Sequence, residues 1–123
     1  MNKKACIYQI PCQSCPKCYI GETIDFERRK RQHRDALAKG DENNAIFQHR
    51  VQYDHRVCLD EMQEIVNIDR VERRRLLESI LIQNVDTFNI YKSNFKLDSF
   101  LNAIMTKHVV SVAKVLEKVK KPP

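Results

Sequence analysis

Four side chains able to hold a metal ion fall in a spaced set: Cys12 and Cys15, then His49 and His55, in the pattern C-x2-C-x33-H-x5-H. Two thiolates and two imidazoles suit the tetrahedral preference of zinc. The cysteine half has zinc-finger spacing, and the histidine half sits at the upper edge of the usual range. Cys18 is a rival thiol, but it adjoins Tyr19 in the extended run "CYIGE", where its side chain is committed to one sheet face. It is expected to pack as a small apolar residue, as are Cys6 and Cys58.

Two further groups sit where apolar residues belong. Phe26, Arg29, His33 and Ala36/Leu37 follow the i, i+3, i+7, i+10/11 spacing of a core-facing helical stripe, so two polar residues share a face meant for the interior. Arg29 is either a functional cation or an arginine snorkelling at the core's edge. Arg28, Lys30, Arg31 and Arg34 spread over the other faces, as solvated surface or as phosphate contacts. In "VERRRLLESILIQNV", Glu78 lies in line with Val71, Ile82 and Val85 among leucines and isoleucines. A carboxylate there is costly unless it binds a cation or pairs with Arg74 or Arg75 one turn back, and spacing leaves both readings open. His108 has no partner in the pattern.

The elements that must position these residues follow from periodicity and punctuation. "ACIYQI" (5–10), rich in strand formers and stopped by Pro11, and "CYIGE" (18–22) read as a β-hairpin whose two-proline loop carries the cysteines. Asp25 is an N-cap candidate for a helix running to about Ala38, ended by Gly40. "NNAIFQHRVQY" (43–53) suits a short helix and "EMQEIVNI" (61–68) a third strand. Asp69 then caps a helix through about Asn84. The fold class is α+β, a small antiparallel three-stranded sheet flanked by helices, in the order β-β-α-α-β-α. Beyond Asp86 the pattern predicts a loop, "FNIYKSNF", then a helix, "LDSFLNAIMTKH", and a basic amphipathic helix, "VVSVAKVLEKVKK". The expected organisation is a metal-stapled domain over 1–92 and a helical C-terminal extension over 93–123.

Composition narrows the function classes. The 123 residues fit one domain with one core. A net charge of +6, from 22 Lys+Arg against 16 Asp+Glu, favours a polyanionic partner such as nucleic acid. No stretch has the form of a signal peptide or the roughly 20 apolar residues of a membrane span, so the chain is expected to be soluble and intracellular. An odd count of 5 cysteines argues for metal binding or burial rather than a disulfide framework.

"CIYQI", then "YIGET", an arginine ten positions beyond Tyr19 and the glutamate of "LLESILI" together resemble the GIY-YIG nuclease family. More narrowly, "IPCQSCPKCYIGET", "DENNAIFQHRVQYDH" and "RRRLLESILIQNVDTFN" resemble the endonuclease domains of Penelope-like retroelements, which carry a Cys-Cys-His-His zinc motif inside the nuclease fold. The similarity covers residue 5 to about 90. It implies that Tyr8 and Tyr19 are the motif tyrosines, Arg29 the catalytic arginine, His33 the polar residue after it, Glu78 the ligand of a catalytic Mg2+ or Mn2+, and Asn89 the late asparagine. It further implies structural Zn2+ on Cys12, Cys15, His49 and His55. Two departures stand out: Cys6 replaces the usual glycine of the first motif, and Asn89 lies one residue nearer the glutamate than is usual.

The resemblance implies a metal-dependent DNA endonuclease making the target-site nick of a Penelope-like retroelement, fused to or acting with a reverse transcriptase and, in a eukaryote, nuclear. Arg29 would clamp the scissile phosphate with its planar fork. Tyr8 would activate water, which for a phenol of reference pKa about 10 requires nearby positive charge. Two rival readings are a non-catalytic, zinc-stabilised nucleic-acid-binding module and a zinc-stabilised protein interaction domain.

Overall fold

The computed structural model describes residues 3–90, 115 and 117–119. Strand β1 (Cys6–Pro11) is the middle of the sheet, which explains why Cys6, Ile7, Tyr8, Gln9 and Ile10 are all buried rather than alternating in exposure. Strand β2 (Cys18–Thr23) forms the hairpin with it, Cys6 opposite Thr23 and Pro11 opposite Cys18. Strand β3 (Gln63–Asn67) pairs antiparallel with the other edge of β1, giving the order β2-β1-β3. Register slips between Ile7 and Tyr8 in that second pairing, a bulge of the kind that re-aims a side chain beside a site.

The two sheet faces carry separate apolar clusters. Ile7, Cys18 and Ile20 meet Leu77, Ile80 and Leu81 of helix α3 (Val71–Asn84) on one side. On the other, Cys6, Tyr8, Ile10 and Cys12 meet Phe26 of helix α1 (Phe26–Lys39) and Ile46 of helix α2 (Ala45–Tyr53). Each fully buried aliphatic contributes roughly 1.5–3 kcal/mol of transfer free energy. The expected α+β architecture is therefore the observed one, with a short 3-10 turn at Leu59–Glu61 added before β3.

Helix boundaries follow their caps. Asp25 accepts from the Arg28 amide, and Gly40 closes α1 in the left-handed region at φ 69°. Asn44 caps α2 by accepting from the Ile46 and Phe47 amides. Helix α3 departs from expectation, because Arg70 rather than Asp69 is its N-cap and offers no side-chain bond. The Ile68 amide donates to the Ala5 carbonyl, and Arg74 Nη1 donates to the carbonyls of Ile68 and Asp69, so Asp69 is held in the connection instead of at the helix end.

The sequence-predicted loop beyond Ile90 and the helix over 97–108 lie outside the described residues, as does most of the basic helix. Of the latter, Val115 and Val119 are buried in the α3-side cluster, and Gln9 Nε2 donates to the Lys118 carbonyl at 3.5 Å. No helix among the described residues is long and apolar enough to cross a membrane.

Candidate active site and metal centre

Tyr8 leaves the middle strand on the α1 side and lies across β2 at Gly21, its register partner. A Cβ built on Gly21 would fall inside the ring and hydroxyl of Tyr8, so the glycine of "YIG" is required by this close approach. One turn apart on α1, Arg29 and His33 reach the same phenol: Arg29 Nε donates to Tyr8 Oη at 3.3 Å, and His33 Nε2 is hydrogen-bonded to Tyr8 Oη at 2.9 Å. Tyr19, on β2, packs edge-on against His33 with ring centroids 5.5 Å apart. A cleft of about 330 Å³ collects Tyr19, Arg29, His33, Asn44, Glu78 and Asn89 in its lining. Five of the sequence-predicted residues thus share one cavity, and Tyr8 forms its buried floor through its bonds to two of them.

The electrostatics of the cleft follow from burial. Tyr8 is pushed well above the usual phenol range by desolvation and by Tyr19, with Arg29 pulling the other way. His33 is lowered to about 4 by burial and by the Arg29 charge, so its ring is neutral near pH 7. Burial lowers Arg29 as well, but the Tyr8 and Tyr19 hydroxyls against the guanidinium give a net rise, and Arg29 stays cationic. Glu78 is raised to about 7 by burial and by the Glu22 carboxylate, against the pull of a Glu22 backbone bond and of Arg75 and Arg29. The arginines one turn back do not pair with it. Arg74 Nε donates to Glu22 at 2.6 Å, and Arg75 Nε stands 3.6 Å from the same carboxylate. The ion pair that spacing offered Glu78 is formed by Glu22 instead.

Asn89 enters the cleft because residues 86–88 run beside the start of β2: Cys18 N donates to Asp86 O, and Phe88 N to Cys18 O. Its amide then accepts from the Ile20 amide at 3.0 Å and donates to the Ile20 carbonyl at 2.7 Å. Both ends are spent on holding the strand that carries Tyr19.

Next to this cleft lies the metal-ligating set. Donor atoms of Cys12, Cys15, His49 and His55 all lie within 4.8 Å of one another. Cys12 Sγ is 3.7 Å from His55 Nδ1, Cys15 Sγ is 3.5 Å from His49 Nε2, and the two ring nitrogens are 3.1 Å apart. A tetrahedral ion with metal–sulfur bonds of about 2.3 Å and metal–nitrogen bonds of about 2.0 Å has ligand–ligand edges of roughly 3.3–3.8 Å, so the set fits an ion of zinc's size. The Ser14 amide donates to Cys12 Sγ at 3.3 Å. Cys18 is in the opposite cluster and contributes nothing to this set. Cys6 is fully buried, its thiol pushed up to about 12 by burial and by Glu64, and Cys58 is half-buried at the turn before β3.

Sequence reasoning missed three contributors. Glu22 takes Arg74 across 52 residues, a contact no local pattern encodes. Phe88 stacks on His49 at 4.2 Å and also touches Tyr19 at 6.1 Å, joining cluster to cleft. Asn44 carries a legible N-cap signal, but its place beside His33 depends on how α2 packs on α1. A larger cavity of about 650 Å³, lined by Arg34, Arg50, Asp54 and Asp60 among others, lies away from the tyrosines.

No curated protein and no solved structure gave a match to the chain. Residues 4–92 match the family model of the GIY-YIG catalytic domain: the chain belongs to the GIY-YIG family of nucleases.

Proposed function

We propose that the protein is a DNA endonuclease that hydrolyses a phosphodiester bond with one divalent cation held by Glu78, while the Cys/His cluster holds a structural zinc ion. The observation that carries this reading is the convergence of Arg29 and His33 on the Tyr8 oxygen, beside a carboxylate paired with neither nearby arginine. Glu78 fits a hard cation: it offers oxygen, it is half-buried, and its raised pKa marks a site where added positive charge is favourable. Mg2+ or Mn2+ bound there would supply positive charge to the phosphoryl and leaving oxygens.

The chain's own groups do the rest. Arg29 spends Nε on Tyr8 and Nη1 on Gln32, and its permanent charge attracts the scissile phosphate. Tyr8 is the base that takes the attacking water's proton, as its phenolate. Burial opposes that charge, and Arg29 offsets part of the opposition at the oxygen itself. Tyr19 and Asn89 hold the β2 wall in place. The cysteines of the cluster lie in the β1–β2 connection, where the sequence resembles Penelope-like endonucleases. In this reading the chain nicks the target site, works with or within a reverse transcriptase protein and, in a eukaryote, acts in the nucleus.

The test is plasmid nicking with Mg2+ or Mn2+ against a no-divalent control. Glu78→Gln keeps shape and fold but removes the metal-recruiting charge, and Arg29→Ala removes the phosphate contact. Each is expected to slow cleavage at least a hundred- to a thousandfold, about 2.7–4 kcal/mol, with DNA binding retained. Equal cutting by Glu78→Gln returns the carboxylate to a structural role and leaves a DNA-binding module.

A further inference from the structure

Asn44 is bonded on two sides, and the first bond dictates the second. Its Oδ1 accepts from two backbone amides, Ile46 at 2.9 Å and Phe47 at 3.2 Å, so the identities of its oxygen and nitrogen are fixed by the helix cap. The remaining end, Nδ2, has only hydrogens to offer, and it stands 3.4 Å from His33 Nδ1. A protonated Nδ1 would set donor against donor in a half-buried contact, so Nδ1 is the ring's acceptor. His33 is neutral at working pH, which leaves its one ring proton on Nε2, the atom 2.9 Å from Tyr8 Oη.

We infer that Asn44 is a positioning residue that locks His33 in the Nε2–H tautomer, so that His33 donates to Tyr8 rather than accepting its proton. The inference deepens the nuclease reading and rests on it for its catalytic meaning. Arg29 Nε donates to the same oxygen, so Tyr8 Oη receives two hydrogen bonds from fixed donors. Two donors on one oxygen favour the phenolate, and neither His33 nor Arg29 is placed to take the Tyr8 proton. His33 then serves as a fixed dipole that steadies negative charge, and no imidazolium forms.

The test reads the tautomer directly, on the full zinc-loaded chain labelled with 15N-histidine, by long-range 1H–15N correlation near pH 7. His33, identified by comparison with His33→Gln, is expected to show a protonated Nε2 and a lone pair on Nδ1. Asn44→Asp preserves the cap, since aspartate is an equally good N-cap, but presents an acceptor to His33. It is expected to move the proton to Nδ1 and to lower the nicking kcat at least tenfold, with KM changed less than about twofold. Wild-type His33 in the Nδ1–H form overturns the inference, as does Asn44→Asp with the proton still on Nε2 or with an unchanged kcat. A wild type that shows the expected tautomer but never nicks sinks the nuclease reading and leaves the tautomer lock standing. An active wild type with Nδ1–H does the reverse.

Discussion

Tyr8 and Cys12 belong to the same apolar cluster on one face of the sheet, four positions apart in sequence, yet they are held by different physics. The Tyr8 oxygen is surrounded by permanent protein groups, Arg29 and His33, each placed by α1 and secured by burial. The Cys12 sulfur faces His55, and the second histidine lies 3.1 Å from the first. Two cysteines and two histidines brought this close are a donor set that a cation would bind together. The cleft is therefore preorganised by packing, whereas under the proposed zinc reading the cluster is organised by an ion. The lesson is that damage to one should have a signature the other lacks: loss of chemistry with fold intact for the cleft, and loss of fold for the cluster.

The widest separation is expected from Cys12→Ser, or from stripping zinc with a strong chelator. Structural zinc contributes roughly 10–16 kcal/mol apparent in small metal-dependent domains, more than a typical domain's whole stability, so the chain should lose its cooperative melt together with its metal. Circular dichroism with metal analysis checks this. Cys18→Ser, changed on the opposite face, should keep its zinc, and an unchanged melt in Cys12→Ser breaks the comparison.

Gly21→Ala should hurt the cleft while sparing the cluster. The new methyl meets a fully buried ring that has no room to retreat, so overpacking should cost about 3 kcal/mol and pull Tyr8 off its partners. Nicking should collapse at unchanged zinc content. Full activity in this variant would mean that the position of Tyr8 is not what the cleft depends on.

A smaller effect sharpens the contrast through pH. Without added Mg2+ or Mn2+, Glu78 is raised from 4.5 to about 7, so the folded state holds its proton more tightly than the unfolded chain. Stability from this group is fully present below about pH 4.5 and is lost as pH rises from there to about 7. Glu78→Gln cannot ionise, so it should match wild type near pH 4 and exceed it at pH 8 by on the order of 1–2 kcal/mol. His33, lowered to about 4, loses stability in the other direction as pH falls, but equally in both proteins, and cancels in the difference. Thermal melts at the two pH values decide, and a constant gap removes the case for a strained carboxylate.

Most of the frame is legible because it is written locally. Strand runs, the Asp25 cap and the Gly40 stop are each a few residues long, and all appear where periodicity puts them. The metal set is legible for another reason: few roles other than burial bring two cysteines and two histidines together. Glu78 shows where legibility ends. Its burial could be read from its helix, but whether Arg74 answers it depends on Glu22, a strand residue far away in sequence. Asp69 illustrates the same limit at a boundary, since the pull of Arg74 on the connection shifts the helix start by one residue. The second role of Asn44 and the bridging place of Phe88 are properties of packing angles, which no spacing records.

The cluster's connectivity also bears on how the sheet is reached during folding. The hairpin of β1 and β2 is local and closes quickly, whereas β3 must find the free edge of β1 from far along the chain, and such contacts are delayed by the entropy of the intervening loop. His55 lies just before β3, and the Cys12–Val57 bridge continues the line of β1 toward it. Were an ion to join Cys12 to His55, only residues 56–62 would separate the tethered point from Gln63, and the search for the third strand would shrink from a long loop to that short one. The metal then acts on the rate of assembly as well as on its endpoint, with refolding expected to speed up when zinc is present from the first moment rather than added after collapse.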